Sequence, residues 1–324
     1  MTDKLIVITG AAGLIGSGVV RYLNDQGHSN LILVDELNHP DKIKNLQLKK
    51  YSQLLPIASL FSWLQGRQDE ISAFIHLGAC SDTLETNEDY LLENNTRFTQ
   101  RLAEYALKHG HRFIYASSAA TYGDGTRGFS DEHDFLAELQ PLNLYGKSKH
   151  LFDLWAKQEG ILDQIVGLKY FNVFGPNEAH KGRMASMVFK MIPLIQKEGV
   201  IKLFKSTEPD KFTHGDQCRD FIYVKEAVRM TCDFLHDQRG GIYNIGMGKP
   251  TTWNQLATAV FKALDLPLNI EYVDMPPSLA AQYQNYTCAE MAKYKRDKQL
   301  KFEYSIDQAV KDYIHTHLLA DTPW

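Results

Sequence analysis

The four cysteines of this 324-residue chain, Cys80, Cys218, Cys232 and Cys288, include no Cys-x-x-Cys pair. Scattered cysteines in a chain too long for a small stapled module suit a reducing compartment, and no Cys/His spacing of the structural zinc type is present. Charge is equally unremarkable: 35 Lys and Arg against 39 Asp and Glu leave a formal -4, no global field for holding a polyanion. Nucleic acid is therefore excluded as a first partner. No apolar run approaches the length of a membrane span, and the run at 5–9 after Met-Thr-Asp-Lys is too short for the core of a signal peptide. A cytoplasmic chain with no membrane and no metal is expected. Internal repeats and low-complexity tracts are also missing.

With 44% apolar and 23% charged residues, the chain is long enough for one large α/β domain or a core domain with a smaller partner. Short apolar runs at 5–9, 31–34, 73–77, 113–116 and 165–170 alternate with amphipathic stretches. This βαβ rhythm predicts a Rossmann-like, doubly wound parallel sheet covered on both faces. Covering helices are expected from Leu14, burying Val19, Val20 and Leu23, and over about 90–107, where Leu91, Phe98, Leu102, Tyr105 and Ala106 recur near helical spacing before Gly110. After Gly175-Pro176 come a predicted helix at 184–197, a strand at 201–204 and a polar loop at 205–217. Strands at 221–224 and 242–245 enclose a helix at 226–235, and a closing helix covers 306–319. The expected division is a dinucleotide-binding domain over 1–175, rejoined by about 220–249 and 304–319. A smaller α/β substrate-binding domain comprises 176–219 and 250–303.

Gly10-x-x-Gly13-x-x-Gly16 lies between a predicted buried strand and an amphipathic helix, the context in which the pattern signals a dinucleotide. Gly10 permits the tight exit from the strand, Gly13 lets the backbone approach a pyrophosphate, and Gly16 lets the helix lie close to the sheet. The helix N-terminus then presents free N–H groups to the phosphates. Asp35 follows at the end of the second strand, where a carboxylate accepts hydrogen bonds from the adenosine ribose. Asp35 alone favours NAD, whereas Lys42 is able to neutralise a 2′-phosphate. On these residues both NAD and NADP stay open.

Tyr145-Gly-Lys-Ser-Lys149 opens a predicted helix and places Tyr145 and Lys149 at i, i+4 on one face. A phenol titrates near 10, but a neighbouring ammonium favours its phenolate and makes it a usable base. Such a pair also arises by chance. Ser117-Ser118 at the end of the strand at 113–116 adds a hydroxyl to hold a substrate oxygen beside the phenol. His76, in an apolar strand, reads as a satisfied core histidine. Cys80 reads as a small lining residue without a base to activate it. Arg219 fits equally a brace for the next strand or a bidentate phosphate ligand.

Together with Ser117-Ser-Ala-Ala-Thr-Tyr-Gly123, these motifs resemble the extended short-chain dehydrogenase/reductase superfamily over nearly the whole chain. His76-Leu-Gly-Ala-Cys-Ser81, Lys169-Tyr-Phe-Asn-Val-Phe-Gly-Pro176, His180-Lys-Gly-Arg-Met-Ala-Ser186 and Arg219-Asp-Phe-Ile-Tyr-Val224 narrow the resemblance to the ADP-L-glycero-D-manno-heptose 6-epimerase family, His180-Lys181-Gly182 being the narrow marker. The resemblance implies an isomerase that inverts C6 of an ADP-heptose for the lipopolysaccharide core, with hydride held on NADP between two steps. Tyr145 and Lys181 would be the two acid/base groups and Ser118 the hydroxyl at the reacting carbon, while Lys149 would hold the nicotinamide ribose. Leu14, Ile15, Glu36, Gly78, Ala79, Cys80, Ser81, Asn94 and Val173 join the glycines, Asp35 and Lys42 where the family contacts coenzyme. Asn172, Arg183, Lys190, Phe204, Arg219 and Tyr283 fall on the ADP-heptose side. On spacing alone Lys181 reads as a diphosphate contact, and only its flanking residues assign it chemistry.

The resemblance also implies a homo-oligomer, often a pentamer. Departures are Leu77 in place of an acidic residue, Arg183 in place of a small one, and a long 205–217 loop. Rival readings are a 4-epimerase or reductase on another nucleotide sugar and, from another class, a non-catalytic dinucleotide sensor. A 4,6-dehydratase is disfavoured, because Ala119 and Ala120 stand where its Asp-Glu pair is required.

Overall fold

The computed structural model describes residues 4–277 and 283–324; residues 278–282, in the stretch expected to belong to the substrate-binding lobe, lie outside it. In chain order the strands are β1 (Leu5–Thr9), β2 (Leu31–Val34), β3 (Gln53–Leu55), β4 (Ile71–His76), β5 (Arg112–Ser118), β6 (Val166–Tyr170), β7 (Asn172–Phe174), β8 (Ile201–Phe204), β9 (Cys218–Arg219), β10 (Phe221–Tyr223), β11 (Gly241–Ile245), β12 (Thr251–Thr252) and β13 (Ile270–Val273). Seven form one sheet in the order β11-β6-β5-β4-β1-β2-β3, with every neighbouring pair parallel. The expected doubly wound α/β fold is thus present.

Strands β2, β6 and β11 are buried along their whole length, as a parallel sheet covered on both faces requires. Helix α1 (Leu14–Asp25) turns Leu14, Val19, Val20 and Leu23 inward. It packs on α5 (Val224–Cys232); the other principal helices are α2 (Phe98–Lys108), α3 (Leu144–Gln158), α4 (Met187–Glu198), α6 (Trp253–Ala263) and α7 (Ile306–Asp312). Three two-stranded ladders lie beside the sheet: β7 with β10 and β8 with β13, both parallel, and β9 with β12, antiparallel. From β1 the chain winds outward to β2 and β3, and then returns to β4 on the other side. This switch point opens a crevice at the carboxyl ends of the strands, the place where such sheets bind ligands.

Several bounds differ from expectation. The strand expected at 73–77 is β4, two residues earlier at its start. β5 extends through Ser118 because Ser117 and Ser118 pair with Lys169 and Tyr170 of β6. The helix expected over 90–107 is broken: Glu88–Leu91 leads into a wide turn at Leu92–Arg97 before α2. Inside that turn the Asn95 side chain accepts from Cys80 N and donates to Cys80 O, both at 2.9 Å, and so ties the turn to the crevice. The closing helix likewise widens after Asp312. Residues 184–186 lie outside α4, whose N-cap is Ser186. Strands β3, β7, β9, β12 and β13 span two to four residues each, too short for a pattern of alternation. No helix among the described residues is long and apolar enough to cross a membrane.

Candidate active site

The β1–α1 turn has the tightness its glycines demand. Gly10 has φ 66°, and a Cβ there would lie 2.6 Å from Gly78 N, where the chain leaves β4. A Cβ on Gly16 would lie 2.1 Å from the Gly10 carbonyl oxygen. Gly13 caps α1 with no side chain over it, leaving the first N–H groups of the helix facing the crevice. Asp35, buried at the end of β2, accepts from Ala12 N at 2.8 Å and from Lys42 Nζ at 2.9 Å. It therefore braces the turn from the end of β2. The Glu36 carboxylate is turned onto Ile57 N at 2.9 Å.

On the other side of the switch point stand Ser118, Tyr145 and Lys149. Asn143 caps α3 by accepting from Gly146 N at 2.8 Å, which brings Tyr145 into the first turn. Burial raises the Tyr145 pKa, and a hydrogen bond with Ser118 lowers it. Lys149, one turn on, donates to the Ala116 carbonyl of β5 at 2.9 Å. Burial brings its pKa down to about 8, against the pull of Asp153. His76 is held between Thr9 Oγ1 at 2.6 Å and Thr99 Oγ1 at 2.9 Å, and burial lowers its pKa to about 3, a neutral core imidazole. Burial raises the Cys80 thiol, which disfavours a nucleophile.

Lys181 enters from a third direction, on 3₁₀ turns at Ala179–Met184 between β7 and α4. Gly182 there has φ 51° and ψ −117°, a conformation open only to glycine. Partial burial lowers the Lys181 pKa first; Glu178 raises it and Lys190 lowers it. His180 reaches Asn45 Nδ2 at 3.4 Å, and Asn45 Nδ2 also donates to Ala12 O at 2.9 Å, which links this loop to the glycine turn.

These three groups line one cavity of about 980 Å³. It gathers Gly10, Gly13, Leu14, Ile15, Gly16, Asp35, Glu36, Lys42, Gly78, Ala79, Cys80, Ser81 and Asn94 on one side. Ser118, Tyr145, Lys149, Asn172, Val173, Lys181 and Arg183 complete it. The glycine cradle, the uncapped helix N-terminus and the Asp35 carboxylate at the end of β2 fit a nicotinamide dinucleotide. Four residues expected on the substrate side do not form the cavity wall. Lys190 donates to Arg183 O at 2.6 Å, Phe204 pairs with Val273, and Arg219 lies 4.8 Å from the Tyr283 ring centre and 5.8 Å from that of Trp253. Trp253, which does line the cavity and donates to Tyr283 OH at 2.8 Å, was not singled out in the sequence. Its place at the start of α6 left no local signal. Arg183, more than half exposed, is paired with Asp82 at 2.5 Å, and both line the cavity.

Residues 6–246 match the model of the NAD dependent epimerase/dehydratase family. The chain belongs to this family. Among epimerase/dehydratase proteins it is 45% identical over 323 residues to the ADP-L-glycero-D-manno-heptose-6-epimerase of Nitratidesulfovibrio vulgaris, covering 98% of this chain and 99% of that one. It is 41% identical to the enzyme of the same name from Fusobacterium nucleatum, covering 97% and 98%. The crystal structure of the Helicobacter pylori ADP-L-glycero-D-manno-heptose-6-epimerase superposes with a TM-score of 0.80 at 25% identity, over 98% of this chain and 97% of that one. Within the epimerase/dehydratase family the chain thus resembles the heptose epimerases along its full length.

Proposed function

We propose that the protein converts ADP-D-glycero-β-D-manno-heptose to its L-glycero epimer. The observation that carries this reading is that Tyr145 and Lys181, two proton-handling groups on separate elements, face one cavity together with the dinucleotide turn. The full-length likeness to named heptose epimerases supports the choice of sugar. A bound nicotinamide coenzyme supplies the acceptor that takes hydride from C6 and returns it to the opposite face. The residues of the chain handle everything else. Ser118 holds the oxygen on the reacting carbon beside Tyr145. The Lys149 ammonium stabilises the phenolate and holds the ribose. When the 6-keto group turns to present its other face, its oxygen leaves the reach of one fixed donor. A second group on another element then serves the second epimer, and Lys181 fills that place.

For the coenzyme our reading is NADP. Lys42 stands at the ribose end, and the Glu36 carboxylate is turned away onto Ile57 N. Lys42→Met is expected to weaken NADP binding far more than NAD binding in parallel titrations. Equal losses overturn the choice. The same reading places the chain in the cytoplasm as a self-associating enzyme, which light scattering of the purified protein checks.

The deciding experiment incubates purified protein with ADP-D-glycero-D-manno-heptose and no added coenzyme, and follows the C6 epimers by proton NMR. Conversion supports the reading, including a retained and recycled coenzyme. No conversion by protein shown to carry coenzyme rejects the heptose assignment.

A further inference from the structure

Glu178 takes no part in the cavity wall, yet it is only 1% exposed. It lies at the root of the loop that carries Lys181. Its Oε1 accepts from Gly175 N at 3.3 Å, from Ser186 Oγ at 2.7 Å and from Tyr313 OH at 2.9 Å, and its Oε2 accepts from Ser186 N at 2.6 Å. Gly175 ends the passage from β7 and Ser186 caps α4. One carboxylate thus draws both ends of the loop together, at a helix N-terminus whose dipole favours negative charge.

The loop needs such a clasp. Asn177 at φ 75° and Gly182 at φ 51° interrupt any continuous helix on either side of Lys181. Backbone bonds from Lys181 N to Glu178 O at 2.9 Å and from Ala185 N to Gly182 O at 3.0 Å tie the two ends of these turns to the residues that flank them. The charged neighbours of Lys181 are Glu178 on its own loop and Lys190 from α4, while the adjoining His180 is a titratable group whose pKa burial lowers to about 4, which keeps it neutral. Tyr313, from the segment after α7, faces Glu178 from behind as a neutral donor whose pKa is raised by burial and by that carboxylate. Glu178 therefore supplies the negative charge that opposes the desolvation of the ammonium and the repulsion of Lys190, although burial still leaves the Lys181 pKa below its ordinary value.

We propose that Glu178 is the positioning residue of Lys181: it clamps the loop ends and keeps the amine protonated while the loop sits over the sugar. The proposal rests on the reading of Lys181 as the second acid/base group. Its test does not depend on turnover alone. Competitive labelling of lysines with acetic anhydride across pH, read by peptide mass spectrometry, gives the titration midpoints of Lys181 and Lys149 in the wild-type protein and in Glu178→Gln. The Lys181 midpoint is expected to fall by about one unit or more, seen as roughly tenfold greater labelling at neutral pH, with the Lys149 midpoint unmoved. An unmoved Lys181, or equal shifts in both lysines, overturns the proposal.

Should Glu178→Gln fail to fold, Glu178→Asp keeps the charge on a shorter arm. It is expected to leave the Lys181 midpoint in place and to lower kcat by roughly tenfold with KM little changed. Wild-type turnover in that variant overturns the clamp. If the wild-type protein fails to epimerise the heptose, the labelling comparison still decides the case for Glu178, so the two failures are told apart.

Discussion

Lys169 and Asp153 meet at 3.2 Å with 1% and 0% of their side chains exposed. Lys169 lies in β6 and Asp153 one turn after Lys149 on α3, so the pair forms a charged floor under the face that carries Tyr145 and Lys149. Tyr115 OH at 2.9 Å and Ser117 Oγ at 2.7 Å also donate to Asp153, one to each carboxylate oxygen, and the ammonium donates to Thr121 Oγ1. Removing one partner strands the other charge in the interior, at a cost of about 3–5 kcal/mol, whereas removing both also removes the desolvation. Asp153→Asn and Lys169→Met are each expected to lose about that much unfolding free energy in urea titrations, with the double variant more stable than either single one. Losses that simply add would show the two groups to be uncoupled.

The contrast between this floor and the residues above it shows what could be read in advance. Gly10, Gly13 and Gly16, and likewise Tyr145 and Lys149, work at short fixed spacings on one strand-turn-helix or one helix face, so local pattern reaches them. Ser118 was legible because it ends a buried strand. Glu178 and Tyr313 lie 135 residues apart and Arg183 and Asp82 lie 101 apart. Such pairs have no period and appear only when the topology closes. The same holds for Arg219 against Tyr283 and Trp253: the family pattern marks the arginine and Tyr283, nothing local marks Trp253, and stacking leaves no spacing to count. The wide turn at Leu92–Arg97 was hidden for a different reason, since its apolar positions keep a helical rhythm on both sides of the extra residue.

Lys149 and Lys181 are both depressed bases, charged below their folded pKa values and neutral above them. For Lys149 that value is about 8. If its ammonium stabilises the Tyr145 phenolate, kcat/KM of the free enzyme is expected to fall as pH rises through that point. Lys149→Arg, which keeps its charge, moves that limb to higher pH. A limb unmoved in the arginine variant assigns the ionisation to another group. Tyr145→Phe is expected to lower kcat by about 10²–10⁴-fold with coenzyme still bound. Ser118→Ala loses less, because the phenol remains.

Arg183 at 63% exposure and Asp82 at 29% pair on the cavity wall, a pairing of little consequence for stability in water. Its weight falls on access to the guanidinium. If Arg183 binds the substrate diphosphate, it must exchange the Asp82 carboxylate for phosphate oxygens. Arg183→Met is then expected to raise KM for the nucleotide sugar roughly tenfold. Asp82→Asn is expected to lower KM, because the competing carboxylate is gone. Melting temperatures of both variants stay at the wild-type value. A rise in KM in both variants would mean that the intact pair, not the free arginine, serves binding.

Gly16 separates a binding defect from a folding defect. A Cβ there meets the Gly10 carbonyl oxygen at 2.1 Å, Gly10 C at 2.8 Å and Ala11 Cα at 2.9 Å, all backbone atoms of the phosphate turn. Such atoms have no rotamer by which to yield, so the turn itself must move. Gly27, just beyond α1 at φ 85°, has nothing within 4 Å of its Cβ direction. Alanine there bears only left-handed backbone strain, about 1–2 kcal/mol. Gly16→Ala is therefore expected to lose coenzyme in excess of any loss of stability, and Gly27→Ala to lose stability with coenzyme affinity intact. Calorimetric titration of coenzyme beside thermal melts of both variants checks the pair. Full affinity in Gly16→Ala would remove the turn from the coenzyme site.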